Sequence, residues 1–90
     1  MDYEIKPTLR RILNKLSKKD PLMHERILKK IEEVIHSDPE HYKNLRHDLK
    51  EFKRVQIGSS VLVFKFIKSD KKISFEDFDH HDKIYLKKFE

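Results

Sequence analysis

Cysteine and tryptophan are absent from this 90-residue chain, glycine occurs once and proline three times. Without cysteine there is neither a disulfide framework nor a thiolate zinc site. With one glycine and no serine-rich or low-complexity tract there is no flexible linker, and no segment repeats. Residues 1–90 therefore read as one domain, with a core that is small but workable without staples. No apolar run approaches the length of a membrane span, and Met1-Asp2-Tyr3-Glu4 lacks the apolar stretch of a signal peptide. The expected compartment is the cytoplasm, with no membrane partner.

What is present is charge. Lys and Arg number 21 against 16 Asp and Glu, a formal net charge of +5, and 41% of residues are charged. A positive balance favours a polyanionic or acidic partner through long-range attraction. The distribution is sharper than the total. From Ile5 to Lys19 there are six basic residues and no acid, and from Phe75 to Asp82 four acids and no Lys or Arg.

Hydrophobic patterning divides the chain into two halves. Tyr3 and Ile5 alternate with charges up to Pro7, which suits a short edge strand. Thr8 then reads as an N-cap, and Leu9, Ile12, Leu13 and Leu16 recur at helical spacing. Lys18-Lys19-Asp20-Pro21 breaks the pattern, with Asp20 as the next N-cap and Pro21 in the first turn. Leu22, Met23, Ile27, Leu28, Ile31, Val34 and Ile35 extend a second helix to about His36, before Ser37-Asp38-Pro39 stops it. Glu40 to Leu49 is irregular, with Tyr42, Leu45 and Leu49 as anchors.

The second half holds three segments rich in β-branched and aromatic residues: Lys50–Gly58, Val61–Ile67 and Ile73–Tyr85. Gly58-Ser59-Ser60 and Lys68-Ser69-Asp70-Lys71 join them, and links this short permit only an antiparallel meander. Val61–Ile67 is apolar at nearly every position and belongs at the sheet centre. The result is an α+β domain of order β-α-α-β-β-β, with an N-terminal helical hairpin packed on the sheet. The first strand joins at an edge that the sequence does not specify.

The string Leu45-Arg46-x-x-Leu49-Lys50-x-Phe52-x-Arg54-Val55-x-Ile57-Gly58, an apolar strand, and the ending His81-x-x-x-Tyr85 resemble the RelE/ParE superfamily of toxin–antitoxin toxins. The likeness spans nearly the whole chain. It implies a RelE-like fold, an antitoxin partner and, for RelE-type members, metal-free and cofactor-free cleavage of ribosome-bound mRNA. ParE-type members share the fold and act on DNA gyrase. The RelE pattern places cations along the meander, and here Arg54 matches the first, His81 the late Arg or His, and Tyr85 the closing Tyr. Gln56 and Val61 stand where two further cations belong, which leaves room for a His-centred variant. It also leaves open a non-catalytic binding protein, either a gyrase inhibitor or a degenerate toxin that sequesters an antitoxin.

Cleavage by 2′-hydroxyl attack needs a base, an acid and cations for the charge developing on phosphorus. Histidine serves as either acid or base near neutrality. His80 and His81 are adjacent, so on a strand they point to opposite faces. If the chain turns helical after His81, His81 and Tyr85 share one side. The resemblance therefore assigns catalysis to His81, Tyr85 and Arg54, and RNA binding to Arg46, Lys50, Lys53 and His80. The basic cluster of Arg46, Lys50, Lys53 and Arg54, interrupted by Asp48 and Glu51, serves equally as a solvated strand edge. Arg10, Arg11, Lys15, Lys18 and Lys19 form a second basic surface, whose ordinary use is a solvated helix face. Phe64, Phe66, Phe75 and Phe78 sit within strand patterns, where core packing is their expected use. Asp77, Asp79, His80, His81 and Asp82 carry metal-ligand chemistry without metal-ligand spacing, so no metal site is expected.

Overall fold

Alternation, turn chemistry and the two helical stripes generate a four-stranded sheet with a helical hairpin on one face. The structure is a computed structural model and describes residues 1–46 and 49–87. In chain order it comprises β1 (Asp2–Ile5), α1 (Pro7–Lys19), α2 (Pro21–Ile35), a 3₁₀ turn (Pro39–His41), β2 (Lys53–Ile57), β3 (Ser60–Ile67), β4 (Lys72–His80) and α3 (His81–Ile84). Asp48, one of the two acids interrupting the basic cluster, lies outside the described residues.

The helix starts follow proline. Pro7 occupies the first helical position of α1, and Lys6 stands at its N-cap without a side-chain hydrogen bond. Thr8 is therefore inside the first turn and not the cap, because the fixed φ of Pro7 already opens the helix one residue earlier. Asp20 does cap α2, accepting the Met23 amide at 3.2 Å, with Pro21 behind it. Asp38 accepts the Glu40 amide at 3.0 Å and turns the chain after α2.

Strand order is β1-β4-β3-β2. The meander is antiparallel, and β1 joins β4 in parallel, so the sheet as a whole is mixed. Gly58 and Ser59 form a two-residue link between the paired residues Ile57 and Ser60. Gly58 has φ of 63°, the left-handed value that such a hairpin link needs at its first central residue. Lys71 (φ 50°) performs the corresponding reversal before β4.

Strand β3 lies between two neighbours, and Val61, Leu62, Val63 and Phe64 are all fully buried. Its even positions face the hairpin. Leu62 and Phe64 pack with Leu9, Leu13, Ile27, Ile31, Val34, Ile73, Phe75 and Phe78, while Ile12, Leu16 and Phe66 lie partly buried around them. Its odd positions, Val61 and Val63, enter a second, smaller core with Leu45, Phe52 and Ile84, against which Leu49 and Tyr85 pack. Each sheet face thus has its own cover: the hairpin on one, and Leu45, Leu49 and Phe52 with α3 on the other.

Among the described residues no helix is long and apolar enough to cross a membrane.

Candidate functional site

The face away from the hairpin holds three of the candidate residues, and an irregularity in β4 decides which other residues reach it. Val63 pairs with Asp77 but Phe64 pairs with Phe75, leaving Glu76 as an extra residue, a β-bulge. Before the bulge, Ile73 and Phe75 point to the hairpin. After it Phe78 does, and Asp77 and Asp79 lie opposite Val63 and Val61 on the other face. Without the bulge, Asp77 would have pointed into the apolar core.

Lys87 meets both acids there, its Nζ 2.8 Å from Asp77 and 2.9 Å from Asp79. Asp77 also accepts the Phe78 amide at 2.8 Å, and Asp79 the His80 amide at 2.7 Å. Partial burial would lower the pKa of Lys87, but hydrogen bonds from its ammonium to Asp77 and Asp79 outweigh this and raise it. Burial likewise pushes Asp79 up, and is overcome by the hydrogen bonds from Lys87 and the His80 amide, which hold it below the ordinary value. This clamp closes the chain around α3. In the sequence Asp77 and Asp79 stand out only as ligand-like residues, and Lys87 is not among the candidates.

Removing the Lys87 ammonium should therefore be felt. Lys87→Met is expected to destabilise the fold by about 1.5–3 kcal/mol at neutral pH, the range for hydrogen bonds to charged groups. The sign follows from the shifts. Asp79, lowered on folding, contributes stability above its unfolded pKa and loses it as pH falls through its folded value. Lys87, raised on folding, contributes below its unfolded pKa and loses it only as pH rises above that. Denaturant unfolding at pH 7 and pH 3 checks this: the gap between wild type and variant should shrink in acid.

The clamp bounds the short helix that holds the predicted pair. His81 opens α3 and Tyr85 stands at its C-cap, so the two are four apart on one side, with ring centroids 5.4 Å apart at 70°. The His81 side chain is 45% exposed, enough to meet a substrate. Its backbone amide donates to the Ser59 carbonyl at 3.2 Å, tying α3 to the β2–β3 turn. His80 is the N-cap of α3, with Nδ1 accepting the Asp82 amide at 3.3 Å. The Asp82 carboxylate lies 3.6 Å from His81 Nδ1 and 3.8 Å from His80 Nδ1.

Arg54 pairs with Val63 and Gln56 with Val61, so both lie on this same face. The Nε of Arg54 is buried without a hydrogen-bond partner among the described residues. An unsatisfied buried donor is costly and is readily explained by a ligand oxygen. Gln56 donates to the Gly58 carbonyl at 2.9 Å. Val61 is fully buried beneath α3 with Ile84, so at that position the chain has core where a cation was expected.

The remaining candidates are scattered. Lys53 pairs with Phe64 on the hairpin side, and its ammonium is held by the Tyr42 carbonyl (3.2 Å) and Asn44 Oδ1 (2.9 Å). Arg46 and Lys50 are exposed on the segment whose Leu45, Leu49 and Phe52 cover the second core. The structure thus brings His81, Tyr85 and Arg54 to one face, with Arg46 and Lys50 on its flank. Lys53 is turned away from it.

No family model matches the sequence. The chain is 54% identical over 88 residues to a protein of Methanocaldococcus jannaschii named "Putative toxin RelE4", covering 97% of this chain and 93% of that one. An uncharacterized protein of Methanosarcina mazei is 43% identical over 72 residues, 79% of this chain and 83% of its own. Among solved structures, the fold is similar to a chain of the toxin–antitoxin complex RelBE2 of Mycobacterium tuberculosis. There the TM-score is 0.73 at 20% identity, covering 89% and 90% of the two chains. It is also similar to the conserved hypothetical protein HP0894 of Helicobacter pylori, with a TM-score of 0.62 at 21% identity over 91% and 96%.

Proposed function

This chain belongs to the RelE family of toxins, and we propose that it is a cytoplasmic, ribosome-dependent endoribonuclease that cuts mRNA and is held in check by a cognate antitoxin protein. The observation that carries the catalytic part is the shared face of the exposed His81–Tyr85 ring pair and Arg54 with its unsatisfied Nε.

The chemistry is transesterification. The 2′-hydroxyl attacks the adjacent phosphorus and loses its proton to a base. The bond from phosphorus to the 5′-oxygen breaks, and that oxygen takes a proton. A 2′,3′-cyclic phosphate and a 5′-hydroxyl result. His81 is the proton-transfer group. Tyr85 fixes the imidazole plane by its edge-on contact. Arg54 binds the phosphate as charge builds on its oxygens. Arg46 and Lys50, on the flanking segment, hold neighbouring phosphates, and His80, the N-cap of α3 next to His81, is a further RNA contact.

Val61 supports a second reading. A core residue in place of a cation suits a chain that keeps the RelE/ParE fold for binding alone, on gyrase or on an antitoxin. Primer extension on mRNA translated with the purified protein separates the two. New 5′ ends on ribosome-bound message support the nuclease, and their absence at high protein concentration favours the binding protein. Co-purification from the native operon tests the partner: a small acidic protein should accompany the chain and dissociate as salt rises.

A further inference from the structure

Gln56 and Val61 leave the sheet short of cations, yet a guanidinium from another element stands at the same end of the molecule. Arg26 lies on α2, one residue before the fully buried Ile27 that seats this helix on the hairpin-side core. The phase set by Ile27 leaves Arg26 exposed at the rim. Its Nη2 would lie 4.0 Å from a Cβ on Gly58. Arg26 therefore reaches the β2–β3 turn, across the sequence from the residues of the site.

That turn is also where α3 is fastened. The Gly58 carbonyl accepts from Gln56, and the next carbonyl, Ser59, accepts the His81 amide. Arg26 thus lies beside Gly58 and His81 is bonded to Ser59, successive residues of one two-residue link whose Cα atoms are about 3.8 Å apart. The absence of a side chain at Gly58 keeps the space beside the guanidinium open.

Arg26 has no acidic partner among the described residues. The acid before it, Glu25, is engaged with Lys29 at 3.8 Å, and Lys30, one turn on, pairs with Glu33 at 3.1 Å. An unpaired, planar, five-donor cation is suited to bidentate binding of phosphate. We propose that Arg26 is a phosphate-binding residue of the RNA site, contributing from α2 a cation that the sheet lacks. This rests on the reading of the His81 face as an RNA site.

The test uses a fully 2′-O-methylated hexanucleotide, which binds without being cut. Amide NMR of the whole protein is followed during its titration at several salt concentrations. In wild type, Gly58 and Ser59 should shift. Arg26→Gln should weaken binding about 10-fold or more, as for loss of a charge-assisted bond. It should also make the slope of log affinity against log salt shallower by about 0.7, the share of one phosphate on a single strand. Arg26→Lys should restore the slope but only part of the affinity, and Arg11→Gln on α1 should change neither. Unchanged affinity and slope in Arg26→Gln would overturn the proposal, as would a wild type whose Gly58 and Ser59 do not move. Primer extension on the same proteins keeps the two readings apart. Cleavage that survives alongside Arg26-independent binding sinks only the Arg26 role. Arg26-dependent binding without any cleavage sinks only the nuclease.

Discussion

Replacing His81 with alanine is expected to lower ribosome-dependent cleavage by about 10²–10⁴-fold, the usual loss when a general acid or base is removed. The substitution should leave the fold intact. His81 is partly exposed, its ring touches Tyr85, and its link to Ser59 runs through the backbone amide that alanine retains. The loss should thus appear in the rate of the chemical step and not in the melting curve. Arg54→Ala should cost less, since it removes a phosphate contact and no proton transfer. Tyr85→Phe should cost least, because the edge-on ring contact survives. Single-turnover primer extension with circular dichroism on the same preparations measures both sides. Cleavage unchanged in folded His81→Ala removes this histidine from the mechanism.

The largest expected loss of stability comes from Phe64→Ala, at about 3–5 kcal/mol. Phe64 is fully buried in the central strand, with the Tyr42 ring edge-on at 5.4 Å and the Phe75 ring at 5.9 Å. Truncation would open a cavity between the hairpin and the sheet that the two remaining rigid rings cannot collapse into. A domain of this size has about 5–15 kcal/mol in all, so the variant will be near its limit. Phe64→Leu, a smaller loss, keeps the measurement accessible to denaturant titration. A cost below about 1 kcal/mol for the alanine variant would contradict the central placement of β3.

The sequence revealed the parts of this fold that depend on local periodicity. Leu9, Leu13, Ile27, Ile31 and Val34 recur at helical spacing, and all five are buried under the sheet. The short links around Gly58 and Lys71 required an antiparallel meander and produced one. The pairing of His81 with Tyr85 was legible only on the condition of a helical turn after His81, which α3 supplies. Less visible was anything that depends on which face a strand residue takes. Lys53 and Arg54 looked like one basic cluster, yet adjacent residues on a strand point oppositely, and Phe64 draws Lys53 to the hairpin side. The Lys87 clamp was hidden for the same reason, although a trace existed. The apolar positions Ile73, Phe75 and Phe78 change spacing from two to three at the bulge. Arg26 could not be found this way at all, since its approach to Gly58 depends on how α2 lies on the sheet.

Glu76 has one further consequence, for insertions and deletions. The extra residue works as a frame shifter: residues before it are read in one parity and residues after it in the other. Deleting Glu76 would leave a regular ladder with the same destinations, Phe75 still opposite Phe64 and Asp77 opposite Val63. One more residue between Phe75 and Asp77, with the bulge kept at one residue, would instead send Asp77 and Asp79 toward the phenylalanines and Phe78 to the opposite side. No single substitution downstream could undo such an insertion, because the error lies in the count and not in any residue. A relative one residue shorter in this strand could present the same groups at the end of the sheet without a bulge, and one a residue longer would have to recover the frame before His81.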